Sequence, residues 1–157
     1  MTAYRLTAMD PARIDSIGHD FVLQAELEDR WPRANATSGE PIESKLVLYA
    51  DRCTEIGIWE VTPGVFPASK EGVCELMQFV AGSATIVDAT GETIVEPGVV
   101  MFTPDGWTGT WTVHETVRKT YAIHHTRSFV RRGMSAVARR MHERLGRPRA
   151  KVQDSIA

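Results

Sequence analysis

EPGVVMFTPDGWTGTWTVHETVRKTYAI, residues 96–123, decides the fold. Two turn pairs, Pro97-Gly98 and Asp105-Gly106, punctuate it. Segments 99–103, 108–113 and 117–125 are short and rich in β-branched and aromatic residues. Moving outward, 92–95, 83–88, 74–80, 56–61 and 46–50 have the same character, with Thr90-Gly91, Gly82 and Pro63-Gly64 between them. Short strands with frequent turns predict an all-β sandwich or barrel. No segment alternates strand with helix, which argues against a parallel α/β sheet. No stretch repeats another, so the unit is present once.

The flanks read differently. Residues 1–45 form an N-terminal arm, in which Asp10-Pro11 predicts a short helix with Ile14 and Ile17 inward, and 21–27 predicts a strand. WPRANATSGEP at 31–41 is a polar loop. Such an arm can complete a neighbour's sheet. The barrel is expected over 46–126, and 127–157 forms a C-terminal basic tail. Within the tail, 127–145 predicts an amphipathic α-helix, with Val130, Met134, Val137, Met141 and Leu145 on one stripe and arginines opposite.

Composition bounds the function. The chain has 157 residues, 43% hydrophobic and 24% charged, which suits one soluble domain with its own core. From Arg118 onward eleven Lys/Arg face two acids, while 1–117 holds seven Lys/Arg and eighteen acids, so +9 and −11 sum to the net −2. The basic tail lacks aromatic interleaving, which makes nucleic acid an unlikely partner and docking on an acidic surface the expectation. No apolar run approaches the ~20 residues of a membrane span, and the start lacks a signal-peptide pattern. Cys53 and Cys74 form neither a disulfide framework nor a CxxC knuckle, so a cytoplasmic setting is expected.

GIWEVTPGVF (57–66), GVCELMQFVAGSATI (72–86) and the opening stretch together resemble the cupins, and more narrowly the small subfamily named after (S)-ureidoglycine aminohydrolase. The resemblance implies a double-stranded β-helix, the jelly-roll cupin barrel, with a pocket inside and commonly a homodimer. Cupins usually hold a metal through two histidines and a glutamate in a first motif and a histidine in a second. Glu75 and Gly82 fit the first motif's last two places, but its histidine places fall on Ser69 and Glu71, or on Ala68 and Lys70. Gly98, Pro104 and Gly106 fit the second motif, whose histidine place is Gly109. Glu71 can add a carboxylate if the strand is regular there, yet two carboxylates suit only a weakly held hard ion. No metal and no cofactor is therefore expected.

Strand parity identifies a site without a metal. If Glu75 points inward, Val73, Met77 and Phe79 do as well. Gly109 takes an inward place, and Trp107 and Trp111 share its face. Lys119 and Tyr121 share a face with Val117 and Ile123, and Trp59 lines the wall. The expected site is an aromatic cavity with Glu75, Lys119 and Tyr121 as catalytic groups and Trp59, Met77, Trp107 and Trp111 as ligand-binding walls. Glu75, its pKa raised by burial, is the expected acid/base. The competing reading makes Glu75–Lys119 a structural ion pair and the tryptophans plain core. Three functions fit: a metal-free enzyme acting on a small polar or anionic metabolite (isomerase, lyase or amidohydrolase-like), a non-catalytic ligand-binding or regulatory protein, and a metal-dependent ureide hydrolase.

Overall fold

A computed structural model describes residues 16–126. The helix expected after Asp10 and the amphipathic segment 127–145 lie outside the described residues. One helix, α1 (His19–Gln24), precedes eight strands: β1 (Asp29–Pro32), β2 (Ile42–Ala50), β3 (Thr54–Val61), β4 (Gly64–Ser69), β5 (Val73–Asp88), β6 (Gly91–Val95), β7 (Val100–Thr103) and β8 (Thr108–His125). Among the described residues no helix is long and apolar enough to cross a membrane.

Two long strands organise the barrel. β5 and β8 run antiparallel from Val73 opposite His125 to Asp88 opposite Gly109. Each changes partner midway. The second half of β5 pairs with β6 and the first half of β8 with β4, which makes one layer. The first half of β5 pairs with β7, and the second half of β8 with β3, followed by β2 and β1. The register shifts between Phe79 and Ala84, where the sheet folds over. Gly82 sits in this bend with φ +78°, and a Cβ there would lie 2.1 Å from the Thr116 carbonyl oxygen. The glycine that reads as a turn between two strands is thus a bulge inside one strand.

Between the layers lies a core of Val61, Phe66, Met77, Phe79, Ile86, Trp111 and Val117, all nearly inaccessible to water. Trp111 is its centre: Phe66 stacks parallel to it at 6.1 Å, and Phe79 and Trp59 meet it at 5.9 Å. Such pairs add about 0.5–1.5 kcal/mol each beyond their buried area. β4 carries Pro67, which removes a backbone donor, and the strand pairs with β8 alone among the strands.

A second cluster lies on the outer face, where Val22 of α1 packs with Leu48 and Ile58. Residues 21–27, expected as a strand, begin as this helix. Alternation of Phe21, Leu23, Ala25 and Leu27 suits a strand, but Arg118 supplies a reason to turn. Its guanidinium donates to the Leu23 and Ala25 carbonyls, the latter at 2.6 Å, and so satisfies carbonyls at the helix end. Glu60 lies 3.2 Å from Arg118 Nε. On the outer face of the other end, Leu76, Val100 and Phe102 are 50%, 60% and 59% exposed.

Arg118→Ala should remove this clasp and leave the barrel closed. Loss of charge-assisted bonds of this kind is worth ~1.5–3 kcal/mol. Hydrogen exchange should accelerate over residues 19–27 while β5 and β8 keep their protection; uniform acceleration across the barrel would contradict the assignment.

Candidate functional site

Between the two layers lies a cavity of about 250 Å³. All seven residues singled out by parity line it: Glu75, Lys119, Tyr121, Trp59, Met77, Trp107 and Trp111. Their convergence follows from register. Glu75 stands opposite Thr103 and Ile123, Met77 opposite Tyr121, and Trp59 opposite Lys119. Partners across an antiparallel ladder share a face, so β3, β5 and β8 aim their side chains at one space, which Trp107 joins from the turn before β8.

At its floor, Glu75 is held between two lysines. Lys119 Nζ donates to Glu75 Oε1 at 2.9 Å, and Lys70 Nζ pairs with Oε2. Lys119 also donates to Met77 Sδ at 3.1 Å and lies 4.6 Å from the Trp59 ring centre and 5.3 Å from that of Trp111. The ammonium therefore faces two indole rings, whose quadrupoles attract a cation. Burial alone would raise the Glu75 pKa, but the charges of Lys119 and Lys70 and their hydrogen bonds outweigh it. Glu75 is thus held below the usual glutamate value, the reverse of the expected rise. For Lys119, burial pushes the amine below the usual lysine value, with Glu75 opposing and Lys70 adding to the fall.

Further out, Tyr121 donates to Glu55 Oε1 at 2.8 Å, with Lys45 Nζ 3.6 Å from the same oxygen. Gly57 makes room for this phenol, since a Cβ there would lie 2.7 Å from the Tyr121 hydroxyl. Glu43 pairs with Arg33 and accepts from Trp31 Nε1 at 2.8 Å. Arg33 also lies 4.4 Å above the Phe66 ring. Lys70, Glu55, Lys45, Arg33 and Glu43 were not among the sequence candidates. Glu55 was within reach of the parity argument, being four residues before Trp59. Arg33 sits in a loop that carries no periodicity.

The histidine place at Lys70 marks the other signal. Reasoning from a regular strand puts Glu71 beside Glu75, but Glu71 is exposed and residues 70–72 turn, with Gly72 at φ +72°. That turn delivers Lys70 instead. The donor set for a divalent metal therefore does not fit. Both oxygens of Glu75 are occupied by ammonium groups, whose charge repels a metal cation. At Gly109 the space a side chain would need is filled by Trp107, whose ring lies 2.6 Å from the Cβ position. The Trp107 indole is held there by Asp88, 2.8 Å away. Among the described residues no three His, Cys, Asp or Glu side chains converge.

One donor in this wall lacks a partner. Trp111 Nε1 is buried and has no acceptor among the described residues.

Comparisons with known proteins agree with this architecture. The family model described as EutQ-like cupin domain matches residues 48–121. The EutQ protein of Clostridium difficile superposes with a TM-score of 0.54 at 16% identity, over 66% of this chain and 82% of that one. A protein of unknown function of the DUF861 family from Pseudomonas syringae pv. tomato superposes with a TM-score of 0.58 at 27% identity. That match covers 64% of this chain, which spans under half, 45%, of the Pseudomonas chain. None of the curated proteins matches. The finer likeness to the ureidoglycine aminohydrolase subfamily finds no support among these matches. The strand order is that of a jelly-roll cupin fold, and residues 48–121 match the EutQ-like cupin domain.

Proposed function

We propose that the cavity binds a small anionic metabolite without a metal and handles its protons with Glu75, Lys119 and Tyr121. The observation that carries this is the charge at the floor. Four basic side chains, Arg33, Lys45, Lys70 and Lys119, and three acidic ones, Glu43, Glu55 and Glu75, line the cavity. Arg33 pairs with Glu43 and Lys45 with Glu55, so the excess cation falls on Glu75, which has two. An anion beside these lysines completes the balance, and the unpartnered Trp111 N–H offers it a donor. The cavity volume suits a metabolite of a few heavy atoms and falls below the ~300–1,000 Å³ of drug-sized sites. Because Glu75 is ionised, it serves as a base and not as an acid at neutral pH.

A thermal-shift panel of small carboxylates, amines and neutral sugars in chelator-treated buffer tests this. A carboxylate at about 100 times its Kd should stabilise the protein by ~2.7 kcal/mol and raise Tm by roughly 5–10 °C. Lys119→Met should abolish the response. If no carboxylate raises Tm, or only chelated metals do, the reading falls. Binding with no turnover of any bound carboxylate would identify a ligand-binding protein in place of an enzyme.

The same pairing sets an acid limb of stability. A carboxylate with a lowered folded pKa stabilises the fold fully above its unfolded value, 4.5 for glutamate, and this is lost as pH falls through the lower folded value. The Tm of the wild type should therefore fall on acidification below about pH 4.5, and the gap to Glu75→Gln should narrow there. Above that pH Glu75→Gln leaves the buried Lys119 ammonium without its counter-charge, at a cost of ~3–5 kcal/mol. A constant gap across pH would show that Glu75 carries no such charge.

We also propose a homodimer through the outer face of β5 and β7, where Leu76 pairs with Phe102 and both stand exposed. Light scattering should give twice the chain mass for the wild type and a monomer for Phe102→Glu. A wild-type monomer at micromolar concentration would overturn it.

A further inference from the structure

Two ammonium groups share one buried carboxylate, and the two lysines are not equivalent. The Lys119 side chain is 6% exposed and that of Lys70 is 20% exposed. Lys119 is otherwise surrounded by Met77 Sδ and two indole faces. If Lys119 sheds a proton, Lys70 and Glu75 remain as a neutral pair, so the cavity floor loses its uncompensated charge. Burial and the neighbouring Lys70 both act in that direction, against Glu75 and the more distant Glu43. An amine desolvated in an apolar pocket beside a second cation is the environment that makes lysine a nucleophile toward carbonyls.

We propose that Lys119 forms a Schiff base with a small 2-oxo acid bound in this cavity. This rests on the anion-binding reading above and adds the carbonyl to it. The carboxylate of such a ligand answers the surplus charge of Lys70 and the free Trp111 donor, and its carbonyl carbon adjoins that carboxylate by one bond. The step balances without a further reagent. The ammonium of Lys119 passes one proton to Glu75 Oε1, 2.9 Å away. The freed lone pair adds to the carbonyl carbon, and the C=O electron pair moves to oxygen. That oxygen collects the proton held by Glu75 and a second one from Nζ by the same relay. The C–O bond then breaks, water leaves, and the nitrogen lone pair closes the C=N bond. Of three N–H protons, two depart in water and one stays on the iminium. The product keeps its positive charge at the same place, so the indole faces and Glu75 hold the iminium as they hold the ammonium.

The chain has only four lysines, Lys45, Lys70, Lys119 and Lys151, which makes trapping readable. The full-length protein is incubated with glyoxylate and cyanoborohydride near neutral pH, digested, and mapped by mass spectrometry. Glycolate, which has the carboxylate but no carbonyl, serves as the binding control by thermal shift. Carboxymethylation of Lys119 should run roughly tenfold or more ahead of Lys151, since a carboxylate bound beside Lys70 holds the carbonyl next to the Lys119 amine. Lys119→Arg should show adducts only at the other lysines, with circular dichroism confirming its fold. If glycolate raises Tm but glyoxylate modifies Lys119 no faster than Lys151, the Schiff base is wrong and the anion site stands. If neither acid raises Tm and Lys119 stays unmodified, both fall. The decisive map uses the wild type, so a misfolded variant does not obscure it.

Discussion

The carboxylate of Glu75, closed between Lys70 and Lys119, is the constraint around which this barrel is arranged. Taking three charges out of water is unfavourable, and their mutual attraction rarely returns more than that loss. A core of apolar side chains would serve stability as well. The arrangement persists because the surrounding frame determines it: β7 and β8 fix Glu75 from both sides, and β3 places Trp59 against Lys119. The turn at residues 70–72 brings Lys70 onto the second oxygen. A charge cluster held this rigidly has no reorganisation left to perform when a ligand arrives, which is what a binding or catalytic site requires.

Most of the charge lining the cavity is paired one to one. Arg33 balances Glu43 and Lys45 balances Glu55, where the Tyr121 hydroxyl joins Glu55. Only Glu75 has two cations. Glu75 and Lys119 are also the more deeply buried partners, and charges interact more strongly where water is excluded. Aromatic walls sharpen the effect, since Trp59 and Trp111 exclude water and still accommodate a cation. The one unpartnered buried indole N–H among the described residues belongs to this wall as well.

Much of this site was legible because strand periodicity is two, so one inward residue sorts a whole strand. With Glu75 and Gly109 set inward by the cupin resemblance, Met77 and Trp111 follow from that rule, and the apolar company of Val117 and Ile123 orients Lys119 and Tyr121. The rule fails where the backbone leaves the strand. Gly72 turns, so Lys70 and not Glu71 reaches Glu75, and with Lys70 comes the reversal of the Glu75 pKa. Gly82 reads as a turn residue, and the sequence has no signal that β5 continues through it as a bulge. The helix at residues 19–24 is bonded at its end by Arg118, nearly a hundred residues away, and no local pattern predicts a contact at that separation. β4 stayed hidden because Pro67, Ala68 and Ser69 are poor strand formers that register with β8 carries into the sheet.

The comparison with metal-holding cupins turns on a single carboxylate. Glu75 stands at the family's glutamate place, and its partners here are ammonium groups. A tethered ammonium differs from a divalent ion in three physical respects. It supplies one positive charge instead of two, it is fixed to the backbone, and it can give up a proton. On the reading proposed above, the first two suit the floor to anions. The third is chemical: on that reading the group that neutralises a ligand's charge can also become the nucleophile that attacks it. Lys70 allows both roles to coexist, because it keeps a positive charge beside the ligand's carboxylate when Lys119 has passed its proton to Glu75. The second lysine is thus what separates this cavity from an ordinary buried ion pair, where that transfer would leave no cation for an anion to meet.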